Sequence, residues 1–201
     1  MGIKAVIFDF GGVLVRTGDL SPRQHLAARL GLSYDEISQL VFESESARRA
    51  TLGQITTQQH WDSVRKKLGL SPEELPSVPL QFWGGDALDT GLVEFIRSLQ
   101  PAYKTGLLSN AWDNLRAVLE NGYKIADAFD EIIISAEVGM AKPDPRIYRL
   151  ALQRLDTVPG EAVFVDDFAE NVEAARAVGV IAIHFANPAQ VRAELQQLLQ
   201  D

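Results

Sequence analysis

The sequence predicts an α/β fold: a doubly wound parallel sheet with an inserted helical cap. Three observations lead there. Short apolar runs rich in β-branched residues recur along the chain, and they are continuous rather than alternating, as in strands buried on both faces. Segments of helical length, with apolar residues three and four apart, separate the later runs, and strand alternating with helix means a parallel sheet. One long stretch, Gly18 to Gly85, breaks that rhythm and reads as helices only, a length that fits an inserted lobe better than a crossover.

The strands are expected at Ala5 to Phe8, Thr105 to Leu108, Ile132 to Ile134, Ala162 to Val165 and Val180 to Ile183. Helices are expected around Leu92, Phe95, Ile96 and Leu99, around Ile147, Leu150, Ala151 and Leu155, and around Val172, Ala175 and Val178. Each set forms one apolar stripe at helical spacing. Gly31, Gly53, Gly69, Pro72, Pro76 and Pro79 punctuate the intervening stretch. Within it, Ser71-Pro72-Glu73-Glu74 has the form of a helix start, with a capping serine, proline at the first helical position and a glutamate three residues on. Residues 1–17 and 86–201 are thus read as the α/β core and residues 18–85 as the cap.

With 201 residues, 46% of them hydrophobic and 23% charged, the chain can bury one substantial core. A formal charge of -8 and the lack of a basic run argue against nucleic acid or an anionic membrane as the main partner. Zero cysteines remove disulfides, thiol catalysis and thiolate metal sites, leaving oxygen ligands. The first apolar run is too short to span a bilayer and carries Lys4 and Asp9. The expectation is a cytoplasmic protein, monomeric or homodimeric.

Polar residues end the strands. Asp9 follows the first, Ser109 and Asn110 the second, Ser135 the third, and Asp166 and Asp167 the fourth. In open parallel sheets ligands bind beyond the carboxyl ends of the strands, so these residues converge on one rim. A wet loop explains any one of them, but not the set. "GMAKPDPRIY" adds a cation: Asp144 and Pro145 have the form of a helix cap and first helical position, which leaves Lys142 in the loop after the third strand.

In their order, "DFGGV", "LLSN", "GMAKPDPRIY" and "VFVDDFAEN" resemble the four motifs of the haloacid dehalogenase (HAD)-like hydrolase superfamily, with its Rossmann-like core. Within it, the chain most resembles the branch that holds the amino-terminal phosphatase domain of soluble epoxide hydrolase and bacterial sugar-phosphate phosphatases. The resemblance implies a magnesium-dependent phosphohydrolase acting on a small phosphorylated metabolite. It implies that Asp9 is the nucleophile, forming a phosphoaspartyl intermediate, and that Mg2+ is held by Asp9, Asp167 and the Gly11 carbonyl, with Asp166 acting directly or through water. It further implies that Ser109, the N–H groups of Asn110 and Ala111, Lys142 and the N-terminus of a helix beginning near Trp112 hold the phosphoryl oxygens, and that Asn171 orients the carboxylates. A hard cation with oxygen ligands removes the repulsion between a carboxylate nucleophile and an anionic phosphate.

The sequence departs from that pattern at position 11, where the superfamily's phosphatases usually carry a second aspartate that protonates the leaving group. Here it is Gly11. A positioned general acid contributes about 10²–10⁴-fold. Three readings remain open: a phosphatase whose acid comes from the cap, from water or from the substrate itself; a dehalogenase, in which Asp9 attacks carbon and halide leaves without a proton; and a weakly catalytic module that binds phosphate. The Asp166-Asp167 pair argues against dehalogenation, because the superfamily's dehalogenases work without metal. Cap candidates for the acid are Glu43, Glu45, His25 and His60, each expected more often as an ordinary surface residue. Arg48 and Arg49 are candidates for a second anion, and Trp61, Phe82 and Trp83 for apolar walls.

Overall fold

The computed structural model describes residues 2–200. In chain order its elements are β1 (Ala5–Phe8), β2 (Val15–Thr17), α1 (Ser21–Arg29), α2 (Tyr34–Phe42), α3 (Glu45–Thr51), α4 (Thr57–Lys67), α5 (Ser77–Phe82), β3 (Asp86–Leu88), α6 (Thr90–Leu99), β4 (Lys104–Ser109), α7 (Leu115–Ala117), β5 (Glu131–Ile134), α8 (Ser135–Val138), α9 (Pro145–Arg154), β6 (Ala162–Asp166), α10 (Ala169–Ala177), β7 (Ile181–His184) and α11 (Pro188–Gln200).

Five strands make one sheet in the order β5-β4-β1-β6-β7, every neighbour parallel. This is the predicted doubly wound sheet. From β1 the chain order runs outward through β4 and β5 on one side and through β6 and β7 on the other, so the carboxyl end of β1 is the switch point, where such sheets bind ligands. The strands are largely apolar between their ends because both faces are covered. Val6, Phe8, Leu107 and Val163 pack with α6 and α11 through Leu92, Ile96, Val191 and Leu195. Ala5, Ile7, Leu108 and Phe164 pack with α9 and α10 through Ile147, Ala151, Val172 and Ala175.

Two short strands escaped the sequence reading. β2 and β3 pair antiparallel, Val15 opposite Leu88 and Thr17 opposite Asp86, and form a ribbon at the two chain crossings between the sheet and helices α1–α5. The helices share a separate apolar cluster that includes Leu26, Ile37, Val41, Trp61, Val64 and Phe82. Arg23 ties this lobe to the ribbon: its guanidinium lies 4.0 Å over the Phe82 ring, donates to the Phe82 carbonyl and pairs with Asp86 at 3.4 Å. A cation held against an aromatic face and a carboxylate in a dry site gains from both.

Two expected helix starts are corrected. At Ser71 only the turn forms: its N–H donates to Glu74 Oε2 at 2.9 Å, but helix α5 begins at Ser77. Pro76 is the reason, since a helix running from Pro72 would need the N–H that proline lacks. The helix expected near Trp112 begins at Leu115 and passes after one turn into a wider turn at Val118–Gly122.

Phe164 is fully buried on the central sheet, whereas Phe42 is 45% exposed. Phe164→Ala is expected to lower the unfolding free energy by about 3–5 kcal/mol, and Phe42→Ala by about 1 kcal/mol or less, as measured by urea denaturation.

Candidate active site

The polar ends of β1, β4 and β6 meet at the switch point. Asp9 stands one residue beyond β1, with its N–H on the Val165 carbonyl of β6 at 2.9 Å. Its backbone is therefore an extension of the sheet ladder. Asp166 closes β6, and Asp167 follows, its carbonyl 2.9 Å from Nε2 of His184, the last residue of β7. One carboxylate oxygen from each of Asp9, Asp166 and Asp167 lies within 4.8 Å of the others.

Lys142 enters this cluster from the loop before α9. Asp144 caps that helix by accepting from the Arg146 N–H, with Pro145 at the first helical position, as the sequence predicts. Asn110, just beyond β4, fixes the loop by a reciprocal pair: its side chain donates to the Lys142 carbonyl and accepts from the Lys142 N–H, both at 2.8 Å. The ammonium group then sits 2.8 Å from Asp9 Oδ1 and 2.6 Å from Asp166 Oδ2, with the Phe164 ring 5.3 Å away. Its side chain is 1% exposed.

The three carboxylates differ in what satisfies them. Asp166 is saturated: Lys142, the Phe168 N–H and Asn171 Nδ2 all donate to it. Asn171 thus contacts Asp166 alone of the three, and the Tyr148 hydroxyl holds its carbonyl. Asp9 Oδ1 has the ion contact with Lys142 but no hydrogen bond of good geometry, and Asp167 Oδ1 is buried with no partner among the described residues. Burial pushes the Asp9 carboxyl up to about 6, with Lys142 opposing and the Asp166 charge reinforcing the rise. Burial, then Asp166, raise Asp167 as well.

The turn after Asp9 explains its two glycines differently. The Phe10 carbonyl accepts the N–H groups of Leu14 and Val15, and the Gly12 N–H donates to the Val15 carbonyl. Gly12 has φ +80°, and a Cβ there would fall 2.0 Å from Asp167 Oδ2, so position 12 admits only glycine. At Gly11 φ is ordinary and a Cβ would meet nothing within 4 Å. The Gly11 carbonyl accepts no backbone N–H among the described residues.

A divalent cation fits this arrangement. Three carboxylates against one ammonium leave a net charge of -2 in a buried site, with Asp167 Oδ1 and the Gly11 carbonyl unpartnered among the described residues and Asp9 Oδ1 held only by its ion contact with Lys142, and oxygen donors are what Mg2+ takes.

Ser109 ends β4 as expected and is 3% exposed. Other residues lie differently from expectation. Ser135 Oγ accepts from the Ala111 N–H at 3.0 Å and donates to the Ala111 carbonyl, so the Ala111 donor is already engaged within the protein. The helix N-terminus expected beside it is three residues further on, because Asp113 is drawn to the lobe, where the Thr57 N–H and hydroxyl donate to it. Trp112 goes with it and packs 4.5 Å from His60 and 6.2 Å from Trp83. His60 is no surface residue: it is fully buried, its Nδ1 is 3.0 Å from Ser46 Oγ, and burial pushes its pKa down to about 4. Glu43, Glu45, His25, Arg48 and Arg49 are exposed. Trp61 and Phe82 are lobe core, which leaves Trp83 as the exposed member of the three aromatic candidates.

A buried carboxylate cluster around one ammonium at the switch point of a Rossmann-like sheet is a candidate active site. The model of the haloacid dehalogenase-like hydrolases matches residues 3–179, and the chain belongs to that family. It is 30% identical to the sesquiterpene phosphatase astK of Aspergillus oryzae over 98% of this chain and 96% of that one. It is 27% identical to D-ribitol-5-phosphate phosphatase of Bacteroides thetaiotaomicron over 98% of both. A HAD-family enzyme of Bacteroides thetaiotaomicron, solved in complex with magnesium and inorganic phosphate, superposes with a TM-score of 0.76 at 24% identity, covering 90% of this chain and 93% of that one.

Because the fold raises the Asp9 pKa from 3.8 to about 6, folding is unpenalised by this group below pH 4 and carries the full penalty above pH 6. Asp9→Asn is therefore expected to stabilise the metal-free protein by about 1–3 kcal/mol at pH 7.5, with the gain shrinking toward pH 5. Urea denaturation in chelator at the two pH values checks this.

Proposed function

We propose that this hydrolase is a magnesium-dependent phosphatase that acts on a small phosphorylated metabolite through a phosphoaspartyl intermediate on Asp9. The observation that carries the reading is the trio Asp9, Asp166 and Asp167, whose negative charge exceeds what Lys142 balances. Attack on carbon with halide departure has no use for that excess charge. The phosphatase names of two relatives support the same reaction class.

In this reading Asp9, Asp167 and the Gly11 carbonyl hold Mg2+, which when bound neutralises the charge between carboxylate and phosphate. Asp9 supplies the attacking oxygen. Its ladder bond to Val165 fixes the backbone that carries that side chain, and such positioning is a large part of catalysis. Lys142, the Ser109 hydroxyl and the Asn110 N–H draw charge from the phosphoryl oxygens as it builds up. Asp166 is a positioning residue, held by Asn171 and holding Lys142. Residues 18–85 act as a cap over the site, and the protein works in the cytoplasm.

Turnover of phosphate esters is expected to require magnesium and to stop in excess chelator. Asp9→Asn removes it while the fold persists, because the amide is close to isosteric but is no nucleophile. Lys142→Ala is expected to lower kcat/KM by about 10²–10³-fold, as loss of a charge-stabilising donor does. Steady-state assays with 4-nitrophenyl phosphate check all three, and full activity in chelator would overturn the reading.

A further inference from the structure

A phosphate ester of an ordinary alcohol releases a group about as basic as hydroxide, whose conjugate acid has a pKa of about 16. Such a leaving group needs a proton as the bond to phosphorus breaks. Among the described residues, none of the four charged groups at the switch point is free to give one. In the phosphatase reading Asp9 is the attacking carboxylate and Asp167 would be committed to the cation, while Asp166 is saturated by three donors and Lys142 is held between two carboxylates. In the lobe, the buried His60 is neutral at ordinary pH, with its Nδ1 on Ser46, and His25, Glu43 and Glu45 are exposed on α1 and around the start of α3.

Position 11 is where a donor would be expected and is lacking. It lies two residues beyond the nucleophile on a turn fixed by the Phe10 and Val15 carbonyls, with open space where a side chain would project. Its neighbour Gly12 is needed for conformation and for room; Gly11 is needed for neither.

Resting on the phosphatase reading, we infer that Gly11 makes this enzyme selective for phosphates whose leaving group departs unprotonated: aryl, enol or acyl phosphates, with leaving-group pKa values from about 4 for a carboxylic acid to about 10 for a phenol. In the first step an Asp9 oxygen forms a bond to phosphorus while the bond from phosphorus to the leaving oxygen breaks, and that oxygen keeps the electron pair. In the second, water adds to phosphorus and the Asp9 oxygen departs as carboxylate. The water proton passes to a phosphate oxygen, so no protein acid or base is consumed.

The test is pre-steady-state phosphoenzyme formation by the magnesium-loaded full chain, with acetyl, 4-nitrophenyl, phenyl and methyl phosphate. The rate is expected to fall by orders of magnitude along that series. Gly11→Asp is expected to fold normally, to flatten the dependence and to speed the methyl ester by a substantial part of about 10²–10⁴-fold. Gly11→Asn, which fills the same space without an ionisable proton, leaves the dependence steep. A flat wild-type dependence overturns the inference and leaves the phosphatase reading standing. A folded Gly11→Asp protein with an unchanged methyl ester rate also overturns it. Phosphoenzyme from none of the four substrates would overturn the phosphatase reading itself.

Discussion

The ammonium group of Lys142 lies between Asp9 and Asp166, at 2.8 and 2.6 Å, in a site closed to water on the protein side. The geometry of the switch point follows from this contact. Desolvating three carboxylates side by side is costly, and a single cation offsets only part of that cost. Asp166 escapes most of it through its bonds from Phe168 and Asn171, while Asp9 and Asp167 do not. The remaining imbalance concentrates on the two side chains with a buried oxygen that accepts no hydrogen bond among the described residues, and these are the two best placed to take a metal ion.

The rest of the fold serves to keep that imbalance from relaxing. A flexible site would turn its carboxylates toward water, but Asp9 and Asp166 sit at the ends of neighbouring parallel strands paired in register from Ala5 with Ala162 to Phe8 with Val165. The Lys142 loop is fixed at one end by Asn110 and at the other by the capped α9. Gly12 lets the turn after Asp9 come so close to the Asp167 carboxylate that a methyl group would not fit. The lobe joins the same construction through Trp112 and Asp113, which continue directly from the β4 loop into contacts with His60 and Thr57. The position of the lobe and the position of the loop after β4 are thereby linked.

Much of this was legible in the sequence, and for a physical reason. Strands buried on both faces must be continuously apolar, so the positions of Asp9, Ser109 and Asp166 at their ends mark the rim without ambiguity. Lys142 was legible because Asp144 and Pro145 fix the helix start beside it. The ribbon was not: Val15–Thr17 and Asp86–Leu88 are three residues each, carry mixed polarity and pair across the whole lobe. The helix expected near Trp112 failed for a tertiary reason, since its start depends on Thr57 capturing Asp113. The burial of His60 did have a signal, because His60, Trp61 and Val64 share one helical face. The engagement of Ala111 by Ser135 had none.

If the charge imbalance is the constraint that shapes the site, a cation should be bound by the folded protein and not by the unfolded one, and binding should show as stability. The most direct measurement is the thermal unfolding midpoint of the wild-type chain and of Asp167→Ala across a magnesium titration at pH 7.5. The wild-type midpoint is predicted to climb with the logarithm of magnesium concentration once the site saturates, and the midpoint of Asp167→Ala to stay near its metal-free value. A wild-type midpoint that does not move with magnesium, or one that moves equally in both proteins, would contradict the account.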